Sequence, residues 1–573
     1  MTIRVNLRPV IALLGIGVVS ILLFVQYTAR DNAEEWRYDE YISRTIGVLS
    51  CVLSSGPQAR LIIREREYRR GLQHEGSGER IRRLLQKASR GETITVSVIG
   101  GSAVSKGRGL IPPPDLRPRD PSNPSERKSD RSDRAVQGAF TLYSPENMHV
   151  LVFDWLSNMF PDKEHRFVNG AQGAVGAEYF GWCFKEHISD DADLVIVELG
   201  INDLLTMSGY AAYERLIRSV LEMKNKPAVI NIETFTVLFS PIISASAVHQ
   251  DICAYYDIPS ISLRDVVLPR ILADPEDEIP RWFRTGDDLS HIDPKVREYG
   301  NELVDMMHIS AVGHALAADL MIRYLSQQLH RVRRGKRWWR MATLEEDELL
   351  VPSTLLTGSF DPHSKIPISQ PVCRSMNSAH IHSRVSQDEE EDLDVEDTVD
   401  GVRGVTLAEG SSGWTIWSWK EKQYLVSSKP GSIAKFAFIT TSPSFPPPPR
   451  LPDQRPIRIE RPNRSKNSRP GGKQHRERAL ADQRASRGGS VAIAYQRSKF
   501  YGLGQVSCWV DDDMRGTRTV DGYWDIEERN MGVVMEIANG LLPGPHTLSC
   551  ELLDETNDPK GRREFRIIAV MHD

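Results

Sequence analysis

"TVSVIGGSAVSKG", Thr95–Gly107, decides the fold. A β-branched apolar run stops at Gly100–Gly101, and a serine follows at once. A short apolar run bounded by glycine reads as a buried strand. The glycines permit close backbone approach and unusual dihedrals in the turn that follows. Neither GxGxxG nor GxxxxGK[ST] fits around Gly100, so the nucleotide loops are excluded. GxSxG fails too, because Val104 stands where the second glycine of that elbow belongs. What remains is a strand that delivers Ser102 to its C-terminal end, where α/β folds place ligands.

Working outward, further strand candidates are Arg166–Val168, Asp193–Glu198, Ala228–Glu233 and Ile258–Leu263, with Thr93–Ile99 as the first. Helical patterns separate them, ending with "AVGHALAADLMIRYLSQQL", Ala311–Leu329. Alternation of this kind predicts an α/β layer fold with a parallel sheet. A polar insert at 112–134 interrupts it and has the composition of a disordered loop. A linker over 331–402 is basic, then Pro/Ser-containing, then acidic, with "DEEEDLDVED" at Asp388–Asp397. From 403 to 573 short β-rich stretches such as "GWTIWSWK", "VAIAYQ" and "EFRIIAVM" predict a C-terminal β-sandwich. The basic, Pro-rich segment 442–490 breaks that domain and reads as a disordered insert or retained intron sequence.

At 573 residues the chain exceeds one ordinary domain, and 40% hydrophobic content suffices for real cores. A net charge of −5 gives no reason to expect a nucleic-acid partner. The six cysteines include no CxxC pair, and no HExxH or other zinc spacing occurs, so neither metal nor cofactor is expected. Cys508 and Cys550 each fall in a strand candidate of the β domain, and a bridge between them is expected. Near the N-terminus, Pro9–Tyr27 carries no charge, Arg4 and Arg8 precede it, and Asp31, Glu34 and Glu35 follow. This predicts a signal-anchor helix over 9–27 within a cytosolic-tail-and-anchor segment 1–30, with the rest luminal or extracellular. A cleaved signal peptide is the alternative. A helical stem is expected over 31–92.

Three further stretches bear on Ser102. "NGAQGAVG", Asn169–Gly176, is glycine-rich and can turn backbone N–H groups toward a ligand. "VIVELGIND", Val195–Asp203, ends a buried strand in Asn202 and Asp203. "DMMHISAVGH", Asp305–His314, sets Asp305 three residues before His308, just ahead of the last helix. Acyl transfer needs a hydroxyl, a base, a carboxylate to hold the base, and donors for the oxyanion. Ser102, His308, Asp305 and the Gly176/Asn202 pair are of the right types.

In this order the four stretches resemble the signature blocks of the SGNH, or GDSL-type, serine hydrolases. In particular they are similar to fungal capsule-associated-type membrane proteins with an SGNH esterase domain. The resemblance covers roughly 93–330. It implies a flavodoxin-like three-layer α/β/α sandwich. It also implies Ser102 as nucleophile and first oxyanion donor, His308 as general base and Asp305 as its orienting carboxylate. A glycine N–H and Asn202 complete the oxyanion hole, with Gly176 favoured over Gly173. The aspartate of the family's Gly-Asp-Ser is Gly101 here. A second Asp-x-x-His, Asp288 and His291, competes with Asp305/His308 and reads as a surface loop. Asp203 is expected to fix the turn beside Asn202, His314 to pack or cap rather than bind metal, and Trp182 and Cys183 to be core. The implied activity is ester cleavage, of O-acetyl groups, on a polysaccharide or glycan. A polysaccharide O-acetyltransferase would use the same residues. A non-catalytic glycan-binding or capsule-assembly protein is the reading from another class. The acyl group, the glycan and the oligomeric state are not legible.

Overall fold

The computed structural model describes residues 63–101, 110, 144–239, 245–338, 351–358, 371–378, 405–419, 422–441, 489–527 and 529–573. The anchor 9–27, Ser102, the insert 112–134, the acidic run 388–397 and the segment 442–488 lie outside them. Among the described residues no helix is long and apolar enough to cross a membrane.

Glu65–Asp573 form one compact unit. Its N-terminal half is a mixed α/β layer structure. Helix α1 (Glu65–Gly71), strand β1 (Leu72–His74) and helix α2 (Glu79–Ser89) precede β2 (Thr95–Gly100). There follow α3 (Met148–Met159), β3 (Arg166–Asn169), α4 (Ala177–Cys183), β4 (Leu194–Glu198), α5 (Met207–Leu221), β5 (Ala228–Glu233), α6 (Ser246–Tyr255) and β6 (Ser260–Ser262). The sheet order is β1-β6-β5-β4-β2-β3. Strands β2 to β6 are mutually parallel, and β1 closes the edge antiparallel to β6. Residues 65–74 therefore do not continue a separate stem: Leu72 and His74 pair with Ile261 and Ser260 of the sheet itself.

The order of the parallel strands reverses beside β2, whose neighbours are β3 and β4. Such a reversal opens a crevice at the C-terminal strand ends, because the following connections leave to opposite faces. Both faces of these strands are buried, which is why β2 and β4 read as unbroken apolar runs. Ile99, Val195, Val197 and Val229 pack with residues of α4, α5 and α6 in one core.

Beyond β6 come α7 (Leu263–Ala273), α8 (Pro275–Trp282), β7 (Phe283–Thr285), β8 (Val296–Tyr299), β9 (Glu302–Ile309) and α9 (Ala311–Trp338). Strands β7, β9 and β8 form a small antiparallel sheet in that order. Ser310 caps α9, its Oγ accepting from Gly313 N–H at 3.3 Å.

The C-terminal half is antiparallel β. One sheet runs β11 (Thr415–Trp419), β12 (Lys422–Ser427), β19 (Phe565–His572), β14 (Gly489–Arg497), β17 (Met531–Leu541), with β10 (Val372–Ser375) also on β19. The other runs β13 (Ile433–Thr440), β18 (Gly544–Leu552), β15 (Gln505–Val510), β16 (Arg518–Asp521). Phe436, Val506 and Leu548 of the second sheet share a core with Val491, Ile493 and Ile567 of the first. Cys508 and Cys550, opposite one another on β15 and β18, form a disulfide.

The first sheet is buried on its other face too. Ala492, Ala494 and Ala569 pack with Tyr179, Phe180 and Cys183 of α4. Three alanines on that face let the helix approach closely. This explains why "VAIAYQ" and "RIIAVM" show no polar alternation, whereas β13 and β15 do. Cys183 is not merely core: it is bonded to Cys373 of β10. The segment over 331–402, expected as a disordered linker, includes two docked pieces. The Glu214 carboxylate accepts from the N–H groups of Leu356 and Thr357, and β10 joins the sheet. Of the tryptophans in "GWTIWSWK", Trp414 is in the β core while Trp417 is 36% exposed beneath the Arg566 guanidinium.

Candidate active site

Three parallel strands end at the crevice. After β2, Gly101 N–H donates to Glu198 O at 3.2 Å, fixing the backbone one residue before Ser102 in the sequence. After β4, Asn202 is buried and its side chain lies against Gly101. A Cβ at Gly101 would stand 1.9 Å from Asn202 Oδ1, so this approach requires glycine. Asn202 Oδ1 has no hydrogen-bond partner among the described residues. The orphaned atom is an acceptor and calls for a donor; only Nδ2 of Asn202 can donate to an oxygen at this edge.

The histidine arrives from a different element. Phe283 of β7 pairs with Ile309 of β9, but Arg284 pairs with Asp305, so Met306–His308 bulge out of register. On a regular strand, positions three apart face opposite sides. The bulge removes that restriction. His308 Nδ1 consequently donates to Asp305 Oδ2 at 2.5 Å, and Asp305 Oδ1 accepts from Met307 N–H at 3.0 Å. Thr236, just past β5, ties the bulge to the main sheet through Met306 O at 2.7 Å. Both members of the pair are buried. Burial alone would raise the Asp305 pKa, but the hydrogen bond and charge of His308 with the Met307 N–H bring it down to about 2. Asp305 is thus a carboxylate at neutral pH and fixes the tautomer of His308, leaving Nε2 as the atom that can take a proton.

The competing pair is not assembled. Asp288 is exposed and bonds Arg284 Nη2 at 2.5 Å, and His291 is exposed as well. His314 is fully buried, and its Nδ1 accepts from Met148 N–H at 3.3 Å. Burial, with the nearby His308, lowers its pKa to about 3, so it is neutral. Trp182 is buried with the Arg215 guanidinium 4.4 Å from its ring.

Asp203 does more than fix a turn. Its Oδ1 accepts from Ala177 N–H at the start of α4 at 2.7 Å, and a Cβ at Gly176 would meet that oxygen at 2.1 Å. Its Oδ2 accepts from His249 Nε2 at 2.9 Å, while His249 Nδ1 bonds Glu233 Oε1 at 2.7 Å. His249 is fully buried and stacked on Tyr213, centroids 3.8 Å apart. Burial would lower its pKa, but the two carboxylates push it up to about 10. Asp203 thus joins the second and third blocks, and a buried imidazolium ties it to Glu233 at the end of β5. Nothing in the sequence around His249 marks it, since its partners lie 46 and 16 residues away.

No family model matches the chain, and no curated protein matches it. Solved structures do. A two-domain esterase active on acetylated mannans aligns over 88% of this chain and 97% of its own, at 16% identity and a TM-score of 0.50. The same kind of esterase co-crystallised with mannopentaose aligns over the same shares at a TM-score of 0.49. A carbohydrate esterase family 2 enzyme with a carbohydrate binding domain, from Corynascus thermopiles (Myceliophthora fergusii), covers 41% of this chain and 67% of its own, at 11% identity and a TM-score of 0.25. What the first of these shares with the chain is the fold.

Proposed function

We propose that the chain is a serine esterase of the SGNH type that removes O-acetyl groups from a polysaccharide. The observation that carries this reading is the convergence at one sheet edge. Gly101 at the end of β2, the buried Asn202 after β4, and the buried Asp305–His308 pair, tied through Met306 O to Thr236 after β5, stand at the C-terminal ends of neighbouring parallel strands. In this reading the Ser102 hydroxyl attacks the ester carbonyl carbon while His308 Nε2 takes its proton. The carbonyl electrons move onto oxygen, where Ser102 N–H, a loop N–H and Asn202 receive them. His308 then gives its proton to the departing sugar hydroxyl, and a water, deprotonated by the same histidine, releases acetate and Ser102.

A flavodoxin-like three-layer domain followed by a β-sandwich is the architecture we read for the two halves. An N-terminal signal-anchor over 9–27, with the catalytic part luminal or extracellular, fits the uncharged run and the two disulfides, which persist in oxidising compartments. The neighbour's activity on acetylated mannans makes that polymer the first substrate to try. Acetate release from acetylated mannan by the full chain, abolished in Ser102→Ala, is the expected result. Equal release by both proteins would contradict the reading.

A further inference from the structure

The loop from Gly170 to Gly176 uses its first three backbone donors internally. Gly170 N–H donates to Val98 O at 3.1 Å and Gln172 N–H to Gly100 O at 3.0 Å. Ala171 N–H donates to Asn169 Oδ1 at 3.1 Å, and Ala177 N–H to Asp203 Oδ1 at 2.7 Å. Among the described residues, none accepts from the N–H groups of Gly173, Ala174, Val175 or Gly176. Of these four, Ala174 alone has a left-handed backbone, with φ of 60°. A residue with a Cβ stays there only where its surroundings hold it.

The β domain does the holding. Lys422, the first residue of β12, is buried, and its Nζ donates to Gly173 O at 2.7 Å. Gly532 N–H of β17 donates to Ala174 O at 2.7 Å. Gly532 has no room for a side chain, because a Cβ there would stand 2.8 Å from Val175 Cγ1. In a trans peptide the N–H points opposite to the C=O. With the Gly173 carbonyl drawn to Lys422, the Ala174 N–H is turned away from the β domain. The loop meets Asp203 and Asn202 through Gly176, not through the carbonyls the β domain grips.

We propose that Lys422 is a positioning residue of the active site: by drawing the Gly173 carbonyl toward the β domain, it aims the Ala174 N–H at the oxyanion beside Asn202. The inference rests on the esterase reading and assigns the loop donor to Ala174 rather than to Gly173 or Gly176. The β domain is then a structural half of the catalytic site, and not an appended binding module.

The test uses the full chain and p-nitrophenyl acetate, a substrate too small to need a glycan subsite. Turnover, fluorophosphonate labelling rate and melting temperature are measured for the parent, Ser102→Ala, Lys422→Met and Lys422→Arg. Since one oxyanion donor is typically worth about 10²–10³ in rate, Lys422→Met should lower kcat by roughly 10- to 100-fold with KM within about twofold. Lys422→Arg, which keeps a donor, should recover most of the loss. Parental kcat in Lys422→Met, with Ser102→Ala inactive, overturns the inference and leaves the esterase reading standing. A parent that neither labels nor turns over removes both. Should Lys422→Met fail to fold, the Ala174 peptide N–H is replaced by an ester oxygen, with lactate incorporated at position 174. A loss of kcat by about 10²-fold in that folded protein supports the assignment, and parental kcat overturns it.

Discussion

Asp305 holds His308 through one short hydrogen bond, and the consequences are separable by substitution. Asp305→Asn keeps the shape but reverses the preferred tautomer. On the proposed mechanism it should lower kcat by about 10⁴-fold, measured on p-nitrophenyl acetate. The same carboxylate carries a pH signature. Its folded pKa of about 2 lies below the ordinary 3.8. Its contribution, about 2 kcal/mol, is therefore present above pH ~4 and lost as pH falls toward 2. Urea unfolding at pH 3 and pH 6 should show that difference shrink in Asp305→Asn. Gly101 makes a different point. Gly101→Ala would put a methyl into Asn202 Oδ1, so it should abolish activity while melting shifts only by what a local displacement costs, about 1–3 kcal/mol. The Asp-x-x-His spacing was legible in the sequence at two places. The four-residue pattern does not separate them; the apolar helix that follows Asp305/His308 does in the sequence, and in the structure burial and the Asp305–His308 hydrogen bond do.

At the scale of elements, the strands of the parallel sheet were readable because buried strands are β-branched runs that end in glycine or polar turns. The bulge in β9 was not. A strand that slips register for three residues gives the same local pattern as a loop before a helix, so only the position of His308 just ahead of the last helix was readable. Nor was β1 readable, because three residues, Leu72–His74, carry no periodicity and owe their state to β6. The Asp203–His249–Glu233 link is an element-scale device, joining α6 to the turn after β4 and to the last residue of β5. His249→Phe would leave two buried carboxylates without their cation and should destabilise by about 3–5 kcal/mol. His249 is raised from 6.5 to about 10. Its contribution is thus complete below pH ~6.5 and lost as pH rises through about 10. Melting temperatures across pH 7 to 10 should fall in the parent and flatten in His249→Phe. Tyr213 and Cys253 are the other titrating groups beside this pair, and burial pushes both up.

For the whole molecule, the two halves share a core, a disulfide and a set of hydrogen bonds around α4. Cys183 and Cys373 are 190 residues apart, and Lys422 and Gly173 are 249 apart, distances over which a single sequence leaves no trace. That is why 331–402 was expected as a linker between two domains. Cys373→Ser should lower stability by about 2–4 kcal/mol, read by urea unfolding. It should also slow turnover, because α4 carries the loop at its N-terminus. On the proposed mechanism Ser102 forms an acyl-enzyme. The most direct measurement is fluorophosphonate labelling of the full chain, with the labelled peptide identified by mass, in the parent and in Ser102→Ala and His308→Ala. One adduct is expected, on Ser102, absent from the first variant and formed far more slowly in the second. A folded parent that takes no label, or takes it on another residue, would contradict that mechanism.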